Sequence, residues 1–245
     1  MVIIECTRVV EMCLVGFISD AHGNKSAFDQ GIKILLRQGV ESIFFLGDAV
    51  GYIPSLEVLS SIEQIRTSIV CIRGNHEQML LSKKLNMAKD EVYNLGVIKK
   101  QMTDKHISLM TAWPEKRRLM IGDCNILIVH GSPTDPSNGY IFPDSDLSSF
   151  KHDANWVFTG HTHRPFIRNY SGIEYVNVGS CGLPRDDGRY ASIAIFDSKI
   201  KTTRIIRYSI EDSLFYYFNK YSEIHSSVKE LSLRRSNNLV GEIYE

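Results

Sequence analysis

The chain has 245 residues, and 28 Lys and Arg balance 28 Asp and Glu, so its formal net charge is zero. Hydrophobic residues make up 43% and charged residues 23%, globular values that argue against collagen, coiled coil and intrinsic disorder. Zero net charge also argues against a dedicated nucleic-acid binder held by a large basic field. The composition leaves one feature to explain, which is its eight histidines.

The cysteines and the N-terminus indicate a cytoplasmic protein. The five cysteines are odd in number and show no C-x-x-C spacing, which favours reduced thiols over a disulfide framework. Residues 1–11 lack the basic cluster and the cleavage site of a signal peptide, and they are interpreted as an N-terminal extension before the first strand. No apolar run approaches the roughly 20 residues of a membrane span, so no membrane contact is expected.

Short apolar runs alternate with helical stripes in the first third of the chain. Strands are predicted over Cys13–Ser19, Ser42–Leu46 and Ser68–Ile72, and helices over Ser26–Gln38 and Ser55–Ile65. Strand–helix units in succession favour a mainly parallel sheet with right-handed crossovers. From Leu80 to Trp113 the pattern is helical, with Thr103 as the N-cap of the last helix.

The second half is rich in strand patterns and predicts a second, more antiparallel sheet. The predicted strands are Arg117–Ile121, Asn125–Val129, Trp156–Thr159, Phe166–Arg168, Tyr175–Val178, Ala191–Phe196 and Thr202–Tyr208. No linker separates the halves, so residues 1–245 are interpreted as a single α/β domain, an α+β sandwich. One apolar face predicts a C-terminal helix over residues 211–232, with docking on its own core favoured over a role in a homo-oligomer.

Polar residues gather at the C-terminal ends of the apolar runs, the rim where open α/β sheets bind ligands. The groups are Asp20-Ala21-His22, Gly47-Asp48, Gly74-Asn75-His76-Glu77, His130-Gly131 and Gly160-His161-Thr162-His163. Five of the eight histidines lie in them, which leaves His106, His152 and His225 for helix or loop surfaces. Residues two apart in extended backbone point to the same side, so each D-x-H or H-x-H pair can offer two ligands.

The residue types in these groups predict a metal site. Imidazole nitrogens with carboxylate and amide oxygens suit Mn, Fe, Zn or Ni, and without thiolates they do not suit a structural zinc. A set of seven donors exceeds one tetrahedral site and suits two ions about 3.5–4 Å apart that share a carboxylate. The seven are Asp20, His22, Asp48, Asn75, His130, His161 and His163.

In this order the motifs resemble the calcineurin-like metallophosphoesterase superfamily, whose pattern is D-x-H, G-D, G-N-H-[D/E], H and G-H-x-H. The stretches GDAVGY at 47–52, VHGSP at 129–133 and GSCGLPR at 179–185 resemble its small bacterial and archaeal phosphodiesterase-like branch. The resemblance implies a four-layer α/β/β/α fold with two mixed sheets flanked by helices. It implies one metal on Asp20, His22, Asp48 and His163 and a second on Asp48, Asn75, His130 and His161, with Mn²⁺ the first choice.

The same resemblance implies hydrolysis of a small phosphoester substrate, with phosphodiesters ranked first. A water between the two metals attacks phosphorus, and His76 protonates the leaving alkoxide or stabilises charge there. Asn24, Arg164 and Arg185 are candidates to hold the other phosphate oxygens, although a turn amide and surface arginines are an equal interpretation. Glu77 is assigned to charge at a helix N-terminus or to support of the ligands.

Several functions stay open at this point. Protein Ser/Thr phosphatases share G-N-H-E, but their G-D-x-V-D-R-G motif needs Asp and Arg where this chain has Gly51 and Tyr52. A phosphomonoesterase or nucleotide pyrophosphatase on the same metals is the second enzymatic interpretation. A scaffold without catalysis is the third, and the intact motifs disfavour it. Neutral charge disfavours long polynucleotides without excluding them.

Overall fold

Two mixed β-sheets form the centre of the molecule. The structure is a computed structural model, and it describes residues 14–65, 69–83 and 85–244. The strands are β1 (Leu14–Ile18), β2 (Ser42–Phe45), β3 (Ile69–Cys71), β4 (Lys116–Ile121), β5 (Cys124–Val129), β6 (Trp156–Thr159), β7 (Phe166–Tyr170), β8 (Ile173–Asn177), β9 (Tyr190–Asp197), β10 (Thr202–Ser209) and β11 (Glu242–Ile243). The helices are α1 (Lys25–Arg37), α2 (Glu57–Gln64), α3 (Asn75–Leu81), α4 (Met87–Tyr93), α5 (Leu95–Gln101), α6 (Asp104–Ala112), α7 (Glu211–Lys220) and α8 (Ser226–Lys229). The predicted extension over 1–11 and the predicted strand start at Cys13 lie outside the described residues.

The first sheet has the order β11-β10-β9-β1-β2-β3. β1, β2 and β3 run parallel, as the alternating pattern predicts. β9 pairs antiparallel with β1, and β10 pairs antiparallel with β9. The assignment of all second-half strands to a separate sheet is therefore wrong for β9 and β10. Their sequences specify extended backbone buried on both faces, but they do not specify which neighbour they pair with.

The second sheet has the order β4-β5-β6-β8-β7. β4 and β5 form a hairpin across Gly122-Asp123, with Ile121 opposite Cys124. β7 and β8 are also antiparallel, whereas β6 runs parallel to both β5 and β8. The parallel centre places the C-terminal ends of β5 and β6 at one edge, which is what the polar groups after these strands require.

Apolar side chains fill three layers between and outside the sheets. Between the sheets, the rings of Phe17 on β1 and Phe158 on β6 stack with centroids 3.7 Å apart. The helices cover the outer face of the first sheet, where Phe28 of α1 is buried. The outer face of the second sheet is covered by segment 130–155, which contributes Ile141 and Leu147. Two mixed sheets in an α/β sandwich are confirmed, but the fourth layer contains a single 3-10 turn rather than long helices.

The helical segments follow the predicted pattern, with breaks that the periodicity does not reveal. Helices α3 to α6 are short, and Thr103 is the N-cap of α6, as predicted. The continuous C-terminal helix predicted over 211–232 is wrong, since α7 ends at Lys220 and α8 begins at Ser226. His225 interrupts it as the N-cap of α8, and the buried face with Leu214 and Val228 continues across the break. Apolar residues at helical spacing predict a buried face. That face can continue across a break at which a new helix is capped, so the spacing does not show whether the helix is continuous.

Cys71, Cys124 and Cys181 are buried free thiols. Within the described ranges, no helix is long and apolar enough to cross a membrane.

Candidate metal centre

The predicted ligands all lie directly after strands, and the structure brings all seven together from both sheets. Asp20 and His22 follow β1, Asp48 follows β2, and Asn75 begins α3 after β3. From the second sheet, His130 follows β5, while His161 and His163 follow β6. All seven side chains are buried, so this edge where the two sheets meet holds an internal polar cluster rather than surface residues.

Five of these residues adopt left-handed backbone conformations, which are uncommon for residues other than glycine. The φ angles are 56° at Asp20, 48° at His22, 60° at Asp48, 65° at His161 and 57° at His163. The extended backbone expected for the D-x-H and H-x-H pairs is therefore wrong, although the two members of each pair do reach the same cluster. Each such residue costs about 1–3 kcal/mol, and such strain concentrates at functional sites.

Backbone hydrogen bonds between loops hold these conformations. The Asp20 N–H donates to the Gly47 carbonyl at 3.0 Å, and the His22 N–H donates to the Asp48 carbonyl at 3.0 Å. The His161 N–H donates to Oδ2 of Asp20 at 3.0 Å, which links the loop after β6 to the loop after β1. The cluster is thus positioned by the protein backbone before any ligand binds.

Three imidazole rings are oriented by backbone carbonyls. Nδ1 lies 3.1 Å from the Val50 carbonyl in His22, 2.8 Å from the Leu46 carbonyl in His130 and 2.5 Å from the Leu183 carbonyl in His163. A carbonyl can only accept, so each Nδ1 carries the hydrogen. In the neutral rings Nε2 then presents a lone pair to the cluster, the arrangement that metal-binding histidines use.

The donor atoms form two neighbouring groups. Asp20, His22 and His163 place one ligand atom each within 4.8 Å of one another, and so do Asp48, His130 and His161. In the first group Nε2 of His163 lies 3.2 Å from Oδ1 of Asp20, and in the second Nε2 of His130 lies 3.3 Å from Oδ2 of Asp48.

Asp48 lies between the two groups. Its Oδ2 is also 3.7 Å from Nε2 of His22 in the first group. Asn75 joins the second group, with its Oδ1 3.0 Å from Nε2 of His130. Asp48 is therefore the carboxylate that approaches side chains of both groups.

Divalent metal ions fit this donor set. Nε2 of His22 and Nε2 of His163 are only 3.0 Å apart, and both face inward because Nδ1 of each ring contacts a backbone carbonyl. Oδ1 of Asp20 is buried and has no hydrogen-bond partner among the described residues. Lone pairs and carboxylate oxygens that face one another need a cation between them.

Burial and the close carboxylates set the protonation of the cluster. Burial opposes ionisation of Asp20 and Asp48, but the nearby histidines lower the pKa of both carboxyls below its usual range. Burial would also lower the pKa of His130, yet Asp48 and Asp20 together raise it to about 10. By contrast, burial and Arg185 lower the pKa of His163 to about 3. The carboxylates of Asp20 and Asp48 thus favour positive charge within the buried cluster.

His76 lies at the edge of the cluster, where its ring forms a third group of possible ligands with His22 and Asp48, again with ligand atoms within 4.8 Å of one another. Its N–H donates to Oδ1 of Asp48 at 2.9 Å, and its Nε2 lies 3.9 Å from Oδ2 of the same carboxylate. Its ring is packed by Tyr52 and Tyr93, with centroids 5.1 Å and 4.6 Å away. Nδ1 of His76 is buried without a hydrogen-bond partner in the described chain.

Gly51 leaves the room that His76 occupies. A Cβ at position 51 would fall on Nδ1 of His76, and Gly51 has a φ of +99° that strains any other residue. This is the position where the related phosphatase motif carries Asp. Among the described residues, no side chain bonds Nδ1 of His76 in its place.

Glu77 supports the loop that carries Asp48. Its Oε2 accepts hydrogen bonds from the N–H groups of Asp48 at 2.8 Å and Gly74 at 2.9 Å, and its Oε1 accepts from Ala49 at 2.7 Å. Burial and the nearby Asp48 raise the pKa of Glu77 to about 7, while the backbone bonds favour its charged form. It thus has the supporting position expected from the sequence.

The structure gives the three predicted substrate residues different surroundings. Asn24 is the N-cap of α1: its Oδ1 accepts from Ala27 N–H and from the Ser213 hydroxyl, and its Nδ2 donates to Gly182 at 3.1 Å. Asn24 therefore serves the fold as a turn amide, and its substrate contact stays a prediction. Arg164 is exposed beside His163.

Arg185 has a defined contact next to the centre. Its Nη2 donates to the Tyr52 hydroxyl at 2.7 Å, and its N–H donates to the His163 carbonyl at 3.1 Å. The Tyr52 ring in turn contacts His22 edge-on, with centroids 4.7 Å apart. Of the three candidates, Arg185 is the one whose side chain reaches a residue that packs on the cluster.

Sequence reasoning missed the aromatic residues around the cluster. Tyr52 and Tyr93 pack on His76, and the Tyr140 ring lies 4.3 Å from the His161 ring while 54% exposed. No spacing signal marks them, because aromatic residues in loops and short helices carry no periodic pattern. The three remaining histidines contact other residues: His106 and His225 cap helices, and His152 contacts Tyr175.

Comparison with known proteins agrees with this geometry. A family model described as the calcineurin-like phosphoesterase superfamily domain matches residues 13–201. The chain is 28% identical over 216 residues to an uncharacterised protein of Methanocaldococcus jannaschii, covering 79% of this chain and 86% of that one. It is 23% identical over 201 residues to a probable metallophosphoesterase of Methanothermobacter thermautotrophicus, covering 79% and 92% of the two chains.

A solved structure shows the same fold. The metallophosphoesterase from Sphaerobacter thermophilus superposes with a TM-score of 0.70 at 23% identity, covering 91% of this chain and 98% of that one. The family match spans most of the chain and includes every predicted ligand. The chain therefore belongs to the calcineurin-like phosphoesterase superfamily.

Proposed function

We propose that this protein hydrolyses phosphodiester bonds in a small phosphoester substrate, using two divalent metal ions, with Mn²⁺ the first choice. Family membership supports phosphoester hydrolysis with divalent metals. The observation that carries the finer proposal is the position of Asp48, whose Oδ2 lies 3.3 Å from Nε2 of His130 and 3.7 Å from Nε2 of His22. One carboxylate between two donor groups is what a pair of ions needs.

In the proposed site, the first ion is held by Asp20, His22, Asp48 and His163. The second is held by Asp48, Asn75, His130 and His161. When bound, such ions supply an activated water nucleophile and offset the negative charge of the phosphate oxygens. Nitrogen and oxygen donors without thiolates favour ions such as Mn, Fe, Zn or Ni.

His76 is proposed to assist the leaving group, by protonating the alkoxide or by stabilising negative charge there. Its Nε2 faces Oδ2 of Asp48 at 3.9 Å, so the imidazole is at the edge of the centre without being tied to a carbonyl like the ligand rings. The packing of Tyr52 and Tyr93 holds the ring in place and limits the access of water to it. A positioned acid of this kind contributes about 10²–10⁴-fold to rate.

The surroundings of His76 favour diesters over monoesters. Position 52 is a tyrosine where the phosphatase motif has an arginine, so less positive charge faces the reacting phosphorus. A phosphodiester carries one negative charge there and a phosphomonoester carries two near neutral pH, so the dianion needs more neutralisation.

Hydrolysis of bis(4-nitrophenyl) phosphate with added Mn²⁺ tests the proposal. His76→Asn is expected to lower kcat by about 10²–10⁴-fold without changing the number of bound metal ions. His106→Asn, on α6 and away from the centre, is the matched control and should retain wild-type activity. Absence of metal-dependent hydrolysis in the wild type, or full activity in His76→Asn, would overturn it.

The diester preference has its own test. The proposal expects a higher kcat/KM for bis(4-nitrophenyl) phosphate than for 4-nitrophenyl phosphate, compared at one Mn²⁺ concentration. The reverse order would refute the diester preference and favour a phosphomonoesterase on the same site.

A further inference from the structure

We propose that Arg185 and Arg234 form an anion subsite at the edge of the metal centre that binds a second, uncleaved phosphate group of the substrate. These residues are called the arginine subsite below. The inference rests on the proposed function, and it adds a substrate class to it, namely phosphoesters that carry a second phosphate. Arg234 lies in residues 231–236, called the C-terminal segment below, which contributes none of the predicted metal ligands.

The C-terminal segment is bound to the loop that follows Arg185. The Gly188 N–H donates to the Arg234 carbonyl at 3.0 Å, and the Ser236 N–H donates to Oδ2 of Asp187 at 3.0 Å. A Cβ at position 188 would collide with the backbone of this segment, so Gly188 permits the close approach. The position of Arg234 is therefore fixed by backbone contacts on both sides of it.

These contacts bring the guanidinium of Arg234 to Arg185. Nη1 of Arg234 donates to the Arg185 carbonyl at 3.0 Å, which leaves its other N–H groups for a ligand. The Arg185 side chain bonds the Tyr52 hydroxyl at 2.7 Å, and the Tyr52 ring packs against His22 and His76. A continuous path of contacts thus leads from Arg234 to the centre.

The charge of these arginines is not balanced within the described chain. Neither arginine forms an ion pair among the residues described, whereas the adjacent carboxylates are used elsewhere: Asp186 pairs with Arg207, and Asp187 pairs with Arg189. Burial, followed by Arg164 and Arg185, lowers the pKa of Arg234, as expected where like charges lie together. Like charges in the same region repel one another, and a bound anion offsets that repulsion.

A phosphate group suits this arrangement better than other anions do. Guanidinium groups present planar pairs of N–H donors that match phosphate oxygens, and several of them offset its two negative charges. In the proposed function, the phosphate group that is cleaved binds at the metal centre. A second phosphate on the same molecule would then occupy the arginine subsite and anchor the substrate.

Two matched variants separate this role from a structural one. Arg234→Gln removes the charge but keeps the backbone bonds of the segment. Arg235→Gln changes the neighbouring arginine, whose Nη1 bonds the carbonyls of Ser232 and Arg234 instead of approaching Arg185. The Mn²⁺-loaded proteins are titrated calorimetrically with AMP, with adenosine 3′,5′-bisphosphate and with α,β-methylene-ADP, so that both separated and adjacent phosphates are covered. The melting temperature of each variant is measured in parallel.

The expected result is a loss confined to the ligands with two phosphates. Arg234→Gln should weaken at least one of them on the order of tenfold, with AMP changed less than about twofold, and Arg234→Lys should restore part of the loss. Arg235→Gln should bind all three like wild type. Equal weakening of AMP and the bisphosphates, no weakening of either bisphosphate, or the same loss in Arg235→Gln would overturn the subsite.

The binding measurement does not depend on turnover. A wild-type protein that shows the Arg234-dependent discrimination but hydrolyses no phosphodiester would overturn the proposed function and leave the subsite. Hydrolysis without discrimination would overturn the subsite alone.

Discussion

The metal centre and the arginine subsite are built in different ways. In the centre, every donor follows a strand within a few residues, and carbonyls such as that of Val50 fix ring orientation. In the arginine subsite, Nη1 of Arg234 bonds the carbonyl of Arg185, which lies 49 residues earlier in the sequence. Neither residue belongs to a strand of the two sheets. The centre is therefore rigid because of the sheets, and the arginine subsite is rigid only while the C-terminal segment stays bound.

In the proposed arrangement, the metal centre carries out the reaction and the arginine subsite selects the substrate. The strand ends carry strained residues, and loops hydrogen-bonded to each other prevent their relaxation. The subsite has ordinary backbone and depends on a few polar contacts, so a change there should alter which substrate binds before it alters the reaction. Variants placed in the two regions should then differ in kind as well as in size.

The largest effect is expected from Asp48→Asn. The neutral side chain can still accept a hydrogen bond from the His76 N–H. It no longer carries the negative charge that would attract a cation to each of the two donor groups. Hydrolysis of bis(4-nitrophenyl) phosphate should fall by at least about 10²–10³-fold, and the metal content per chain should fall with it. Asp123→Asn, at an exposed ion pair with Lys201, is the control. Wild-type metal content in Asp48→Asn would show that this carboxylate is not shared.

Much of the centre could be predicted because its residues are adjacent to strands in the sequence. The D-x-H and G-H-x-H motifs place Asp20 and His163 at strand ends, and parallel neighbours such as β1 and β2 bring those ends to one edge. That placement needs no knowledge of long-range pairing. The donor types then restrict the chemistry, since imidazole and carboxylate without thiolate indicate divalent metal ions.

The rest depends on contacts that no local pattern encodes. β9 and β10 join the first sheet because of which strand they meet, and Arg234 reaches Arg185 because the C-terminal segment returns. Asn24 illustrates a second limit: a buried amide after D-x-H fits a phosphate contact and a helix N-cap equally well, and only the structure shows the bonds to Ala27 and Gly182.

A smaller effect on the centre is expected from Gly51→Ala. The new Cβ would collide with Nδ1 of His76 and displace the ring, which should lower kcat by up to about 10²-fold with the metals retained. Gly172→Ala is the matched control, because Gly172 also has a positive φ of +80° but nothing lies within 4 Å of its added Cβ. Both should lose about 1–3 kcal/mol of unfolding free energy from backbone strain. Equal activity in the two variants would contradict the role of position 51.

Glu77→Gln tests the support of the ligand loop. One amide oxygen cannot accept all three N–H groups of Gly74, Asp48 and Ala49, so the variant should lose about 1–3 kcal/mol in urea unfolding. Metal affinity should weaken by roughly 10-fold, because Asp48 loses its fixed position. Glu115→Gln, on an exposed side chain, should change neither quantity. A loss of stability without a change in metal affinity would confine Glu77 to a structural role.

The smallest effect on catalysis is expected from Asp187→Asn, which loosens the C-terminal segment. Asp187 bonds Arg189 and the Ser236 N–H, and these contacts lower the pKa of its carboxyl below the usual range. A lowered pKa means that the charged carboxylate stabilises the fold above its ordinary value near pH 4, and that this stabilisation is lost as the pH falls. At pH 7 the variant should be about 1 kcal/mol less stable than wild type, and it should weaken the two-phosphate ligand that depends on Arg234 by no more than about tenfold, while its hydrolysis of bis(4-nitrophenyl) phosphate stays within twofold. The stability difference, measured by urea unfolding between pH 6 and pH 3, should narrow towards the acid end. A difference that is constant with pH would show that the charge of Asp187 does not hold the segment, and the arginine subsite would then need another anchor.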